Sequence, residues 1–77
     1  MKSADKLYVE VTTDWDSIVP DRKELIIREI LSSGRVKYSG GVSSVDPDNI
    51  QAAIDDYVAT YYSNSPEIIF ANPAVIR

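Results

Sequence analysis

The sequence predicts an α+β domain with the ferredoxin-like split βαβ plait, in which two helices cover one face of an antiparallel sheet. Three observations predict the element order β-α-β-β-α-β: an alternating strand near the N-terminus, two amphipathic stretches, and two short β-like runs between them. With 77 residues, the chain fits one small domain over residues 1–77. Residues 1–5 are expected to be loose.

The first half predicts a strand and then a helix. The stretch KLYVEVTT, residues 6–13, alternates apolar with polar or amphipathic side chains, which is typical of a half-buried strand. Its inward residues are Leu7, Val9 and Val11. A first helix is predicted from Pro20 to Ser33, with Leu25 off its apolar stripe and Gly34 ending it in the left-handed conformation. The stripe consists of Ile26, Ile27, Ile30 and Leu31.

The second half predicts a hairpin, a helix and a final strand. The hairpin is expected at Gly40-Gly41, and Asp46 is expected to cap a second helix that continues to about Tyr62. Residues 67–77 are expected to form one strand, or two strands broken at Asn72-Pro73. The core face of the second helix is predicted to contain Ile50, Ala53, Ile54, Tyr57, Val58 and Tyr61.

The composition argues against several classes of active site. The chain has no cysteine and no histidine, so a disulfide framework, a thiolate metal site and the commonest general base are absent. Asp14 and Asp16 follow the first strand and are the best candidate Mg²⁺ ligands. A magnesium enzyme also needs a cationic clamp and room for a substrate, for which this chain is short. We therefore expect a solvated loop there, no metal, no cofactor and no enzymatic activity.

No stretch of the sequence indicates a membrane or export segment. The N-terminal residues lack the apolar core of a signal peptide, and no apolar run approaches the ~20 residues that span a bilayer. We therefore expect a cytoplasmic protein without a membrane partner.

The distribution of charge is more informative than the net charge of −4. Residues 1–37 carry seven acidic and seven basic side chains, whereas residues 38–76 carry five acidic and no basic ones. On a helical wheel at 100° per residue, the predicted second helix places its acids opposite its core face, beside Ala52 and Ala59. The predicted partner-binding residues are Asp48, Asp55, Asp56 and Tyr62.

This unbalanced acidic face predicts a module that binds a protein with a basic surface. An inhibitor or modulator that occupies the basic groove of a nucleic-acid-binding protein is one such function, and small phage or mobile-element proteins often act this way. The alternative is an ordinary helix in which Asp48 caps the N-terminus, Asp55 and Asp56 are solvated, and Tyr62 folds onto the edge of the sheet. Over residues 7–62, the element order, the VEVT strand and the acidic second helix resemble the DinI-type modulators of RecA, whose interaction surface is a negatively charged helix. No residue is carried over from that resemblance.

Two further functions stay open at this point. The uncovered sheet face, with Tyr8, Glu10 and Thr12, is a candidate surface for self-association, and a homodimer would follow from it. The letters LYV at residues 7–9 resemble the start of an RNA-recognition-motif signature, in which an outward aromatic side chain stacks on a base. Single-stranded nucleic acid would then bind at Tyr8. The third predicted strand lacks the matching second signature, so no direct contact with nucleic acid is expected.

Overall fold

In the computed structural model, which describes residues 2–19 and 21–71, four strands form one mixed sheet. The strands are β1 (Lys6–Thr13), β2 (Lys23–Ile30), β3 (Val36–Val45) and β4 (Glu67–Phe70). A 3₁₀ turn (Pro47–Asn49) leads into the single helix, α1 (Ile50–Tyr61). The strand order is β3-β2-β1-β4, with β1 antiparallel to β2 and parallel to β4. The predicted strand over residues 6–13 is confirmed as β1.

The predicted β-α-β-β-α-β plait is wrong, because the described residues contain one α-helix where the plait requires two. Most of the predicted first helix forms β2, which pairs with β1 and β3. Leu25 and Ile27 are fully buried on one face of the sheet, whereas Ile26 lies on the other. Three isoleucines within this segment favour the pleated conformation, in which a β-branched side chain packs well. Pro20, the predicted start of the helix, lies outside the described residues.

The predicted hairpin at Gly40-Gly41 is also wrong, since both glycines lie inside β3. The turn between β2 and β3 spans residues 31–35, where Gly34 has φ 87° and the Leu31 N–H donates to the Arg35 carbonyl at 2.8 Å. A Cβ atom on Gly40 would lie 2.5 Å from the Tyr57 hydroxyl oxygen. Gly40 therefore permits close packing of α1 on the strand, a recognised role of glycine within sheets.

The hydrophobic core lies between α1 and one face of the sheet. Because β3 and β4 are the two edge strands, the chain crosses the whole sheet through α1. Edge strand β4 contributes Ile68 and Phe70, both partly buried against this core. The buried hydrophobic residues are Leu7, Val9, Val11, Leu25, Ile27, Val45, Ile50, Ile54, Tyr57 and Tyr62.

The opposite face of the sheet carries a mixed surface, and we call it the open sheet face. The strand registers show which apolar residues lie on this face: Tyr8, Ile26, Ile30, Val36, Tyr38 and Ile69. Val36 is 52% exposed and Tyr38 is 65% exposed. Glu10 and Arg28 form an ion pair at 3.4 Å on this face. The described helix leaves this face uncovered, because it packs on the other one.

Residues 2–5 are held to the end of α1, although residues 1–5 were expected to be loose. The Lys2 N–H donates to the Tyr61 carbonyl at 3.0 Å, and Asn64 exchanges two hydrogen bonds with the backbone of Ala4. At the other end, β4 stops at Phe70, and the expected break at Asn72-Pro73 lies outside the described residues. In the described part of the chain, no helix has the length and apolar character needed to cross a membrane.

Candidate functional site

The 3₁₀ turn that leads into α1 is capped by the carboxylate of Asp46. Its Oδ1 accepts a hydrogen bond from the Asp48 N–H at 2.9 Å, and its Oδ2 lies 3.1 Å from Nη1 of Arg22. The hydrogen bond from Asp48, followed by the Arg22 guanidinium, lowers the pKa of Asp46 below its ordinary value of 3.8. Asp46 therefore caps the 3₁₀ turn, which begins at Pro47, rather than α1 itself, where Asn49 holds the N-cap position without a side-chain hydrogen bond.

Beyond this cap, one side of the 3₁₀ turn and α1 forms an exposed acidic surface, which we call the acidic face. It consists of Asp48, Ala52, Asp55, Asp56 and Ala59, all of which are exposed. Ile50, Ile54 and Tyr57 point the other way into the core. The hydrophobic pattern of α1 therefore directs its carboxylates outward, as the sequence predicts.

The three carboxylates of the acidic face have no ion-pair partner among residues 2–19 and 21–71. The ion pairs in this part of the chain, within 4.0 Å, join Arg22 to Asp46 and Arg28 to Glu10. Asp55 accepts a hydrogen bond at 3.0 Å from the Gln51 side chain, which carries no charge. The negative potential of this face is consequently uncompensated locally, which favours the approach of a basic partner.

Tyr62 does not lie on the acidic face. It ends α1 with an extended backbone, and its side chain is only 3% exposed. Its hydroxyl donates to Oε2 of Glu29 at 2.8 Å and lies 2.7 Å from Oγ of Ser39. Burial, reinforced by Glu29, raises the pKa of Tyr62 to about 12. This placement does not agree with the expected role of Tyr62 as an exposed anchor for a partner.

Asp14 and Asp16, the candidate magnesium ligands, are engaged in local structure. Asp14 is 9% exposed, and its Oδ2 accepts a hydrogen bond from the Ser44 N–H at 2.6 Å. Its Oδ1 accepts from the Asp16 N–H at 3.1 Å. Ser44 has φ 55°, a left-handed conformation that is unfavourable for residues other than glycine. The hydrogen bond to Asp14 helps to hold Ser44 in it. No group of three acidic, histidine or cysteine residues suited to a metal occurs in the described residues.

Tyr8, the candidate base-stacking residue, lies half-buried on the open sheet face beside Ile69 and Arg28. The guanidinium of Arg28 is already paired with Glu10 at 3.4 Å, which weakens its attraction for phosphate. Nucleic-acid binding at Tyr8 stays an untested alternative, and the geometry adds no support for it.

The structure reveals one exposed apolar cluster that the sequence reasoning missed. We call it the apolar tip; it consists of Trp15, Ile18 and Val19 in the loop between β1 and β2. Trp15 is 88% exposed and Ile18 is 98% exposed. The signal was present in the letters DWDSIV, because an aromatic and two aliphatic residues stand within an otherwise polar loop.

Comparison with known proteins finds no matching family model, no matching relative and no matching solved structure. The function must therefore be inferred from the surfaces of the molecule alone.

Proposed function

We propose that this chain is a non-enzymatic module that binds a basic surface of another protein through its acidic face. One observation carries the proposal: Asp48, Asp55 and Asp56 are exposed and have no cation within ion-pair distance in the described residues. Uncompensated charge of one sign steers the approach of a partner and selects its register, more than it adds raw affinity. The cytoplasm is the compartment that this proposal assumes.

A partner that normally holds nucleic acid suits this chemistry. Such a protein carries lysine and arginine side chains spaced along a groove to neutralise phosphates. A small protein with a row of carboxylates on a helix competes for the same groove, and it then acts as an inhibitor or modulator. The flat stretch at Ala52 and Ala59 lets the helix backbone approach such a groove closely.

The proposal is tested by reversing the charge of the acidic face. The tagged double variant Asp55→Lys with Asp56→Lys should fold normally and lose capture of its partner from cells of the source organism. Its matched control is Asp5→Lys with Glu67→Lys, because both residues are exposed and the change in net charge is the same. Capture should also fall when a DNA oligonucleotide is added as a competitor.

Two outcomes would contradict the proposal. If Asp55→Lys with Asp56→Lys captures the partner as well as the wild type does, the acidic face is not the binding surface. If the control pair loses capture equally, net charge rather than the position of the carboxylates governs the interaction.

A second candidate function is self-association through the open sheet face. It is favoured by the exposure of Val36 and Tyr38 on the face that α1 leaves uncovered. Sedimentation velocity across a concentration series should then show a rising mass that the variant Tyr38→Ser abolishes. A constant monomer mass would exclude this function.

A further inference from the structure

The apolar tip exposes more hydrophobic surface than folding requires. Trp15 and Ile18 are 88% and 98% exposed, and Val19 is 44% exposed. Single exposed apolar residues are normal on protein surfaces, but here three occur within five consecutive positions of one loop. Tryptophan is also the residue type most enriched among binding hot spots.

The loop that carries the apolar tip is held in place by hydrogen bonds rather than by a core of its own. The Asp14 N–H donates to the Arg22 carbonyl at 3.0 Å, closing the base of the loop. The Ser17 N–H donates to the Asp14 carbonyl at 3.3 Å, and the Val19 N–H donates to Oγ of Ser17 at 3.2 Å. A loop ordered in advance loses less conformational entropy when it binds, which increases affinity.

The same loop lies beside the beginning of the acidic face. The Asp14 carboxylate joins it to Ser44, and the Arg22–Asp46 ion pair joins its end to the cap that precedes Asp48. These contacts place the base of the loop next to Asp46, so the loop and Asp48, the first residue of the acidic face, lie at the same end of the sheet.

Charge decides which kind of partner covers the apolar tip. Asp16 and Asp21 are exposed and flank the tip along the chain, whereas Arg22, the next basic residue, is paired with Asp46 at 3.1 Å. A phosphate backbone or an anionic lipid surface would be repelled. A symmetric contact between two copies of the tip would bring like charges together. A protein pocket with an apolar floor would bury the tip, and a rim of lysine or arginine would pair with the carboxylates of Asp16 and Asp21.

We propose that the apolar tip inserts into an apolar, basic-rimmed pocket of the same protein that the acidic face engages. This inference rests on the proposed function, since it supplies the apolar anchor for that interaction. Insertion of Trp15 and Ile18 gives the complex a slow dissociation step, whereas the carboxylates of the acidic face set its rate of formation.

Trp15 is the only tryptophan in the chain, so its fluorescence reports on the tip directly. The purified full chain should show the emission of a water-exposed indole, unchanged by dilution, by phosphatidylglycerol vesicles or by a single-stranded oligonucleotide. A blue shift that grows with protein concentration would identify a second copy as the occupant. A blue shift with vesicles or with the oligonucleotide would identify a lipid or a nucleic acid. Any of these shifts overturns the proposal.

The partner is then identified by a photo-crosslinking amino acid placed at position 15 in cells of the source organism. The expected adduct is a protein whose crosslinked segment combines apolar residues with an excess of lysine and arginine. The same crosslinker at position 38, an exposed position on the open sheet face, should not give this adduct. No adduct at position 15, or an adduct with the chain itself, with lipid or with nucleic acid, overturns the proposal.

Two variants separate this inference from the proposed function. Once the partner is purified, Trp15→Ser with Ile18→Ser should raise its dissociation constant roughly 30-fold or more, mainly through faster dissociation. Asp55→Lys with Asp56→Lys should mainly slow association. An unchanged affinity for the tip variant overturns the inference and leaves the acidic face intact as a site. If the tip variant binds more weakly but Asp55→Lys with Asp56→Lys binds as the wild type does, the proposed function is overturned while the tip remains an interface. Circular dichroism confirms that each variant is folded.

Discussion

The carboxylates of this molecule fall into two groups that differ in what surrounds them. Asp14, Glu29 and Asp46 each accept hydrogen bonds that join distant segments of the chain. Asp55 and Asp56 are exposed and have no cationic partner in the described residues. The first group is explained by long-range contacts of the fold, whereas in the second group Asp55 accepts only a local hydrogen bond from Gln51. Charge that no described cation balances is the better candidate for contact with another molecule.

The largest effect on stability is expected for Asp14→Ala. The substitution leaves the N–H groups of Ser44 and Asp16 without their acceptor, and Ser44 keeps its left-handed backbone. Loss of charged acceptors at such a site costs about 2–3 kcal/mol of unfolding free energy. Urea denaturation measures this loss. Asp16→Ala is the control and should stay within about 0.5 kcal/mol of the wild type. Equal stabilities for the two variants would show that the hydrogen bonds to the Asp14 carboxylate do not stabilise the fold.

A second large effect is expected at high pH from Tyr62, the partner of Glu29. Its pKa is about 12 in the folded chain, against an ordinary value of 10.0. Between pH 10 and about 12 the unfolded chain loses this proton while the folded chain keeps it, so stability falls as the pH rises. A shift of two pKa units corresponds to roughly 2.7 kcal/mol in full, of which about 2 kcal/mol is lost between pH 10 and 12, because the folded chain is half-ionised at the upper limit.

Tyr62→Phe isolates this contribution. Over the same pH range, the variant should lose about 2 kcal/mol less than the wild type in unfolding free energy, as followed by guanidinium denaturation. Parallel pH profiles for the two proteins would show that the Tyr62 hydroxyl is not buried against Glu29.

The acidic face and Tyr62 show which parts of the structure the sequence can predict. The acidic face was predictable because one helix, with its own cap and its own hydrophobic period, determines it. Tyr62 was not, because the helical phase ends there and its hydroxyl is directed by Ser39 and Glu29, which lie 23 and 33 residues away in the chain. Local periodicity carries no information about such partners.

The strand β2 illustrates the same limit for the fold. Its apolar residues fit a helical stripe and a pleated strand almost equally, and pairing with both β1 and β3 decides in favour of the strand. The one local sign was Leu25, which falls outside the helical stripe but lies on the same face of a strand as Ile27. The turn predicted at Gly40 was wrong for a similar reason, because the Tyr57 hydroxyl that packs against this glycine comes from α1.

A smaller effect is expected at low pH from Asp46. The hydrogen bond from Asp48 and the Arg22 guanidinium lower its pKa, so its contribution to stability is present above pH 3.8 and is lost as the pH falls through its folded pKa. In Arg22→Ala, the pKa of Asp46 should rise toward its ordinary value of 3.8, as measured by an NMR titration of its carboxyl carbon. An unchanged pKa would mean that Arg22 contributes nothing at the cap.

The smallest effect on stability is expected at the acidic face itself. Asp55 and Asp56 add two negative charges to a chain of net charge −4, and no described cation lies within ion-pair distance of either. Because the substitution lowers the overall self-repulsion of the folded chain, Asp55→Asn with Asp56→Asn should raise the unfolding free energy by roughly a few tenths of a kcal/mol at low ionic strength. The gain should disappear in 1 M salt, where the Debye length is only about 3 Å. Stability curves of the two proteins in urea, measured at both salt concentrations, test this expectation. A clear loss of stability would show that these carboxylates support the fold after all, and they would then belong with Asp14 rather than with a binding surface.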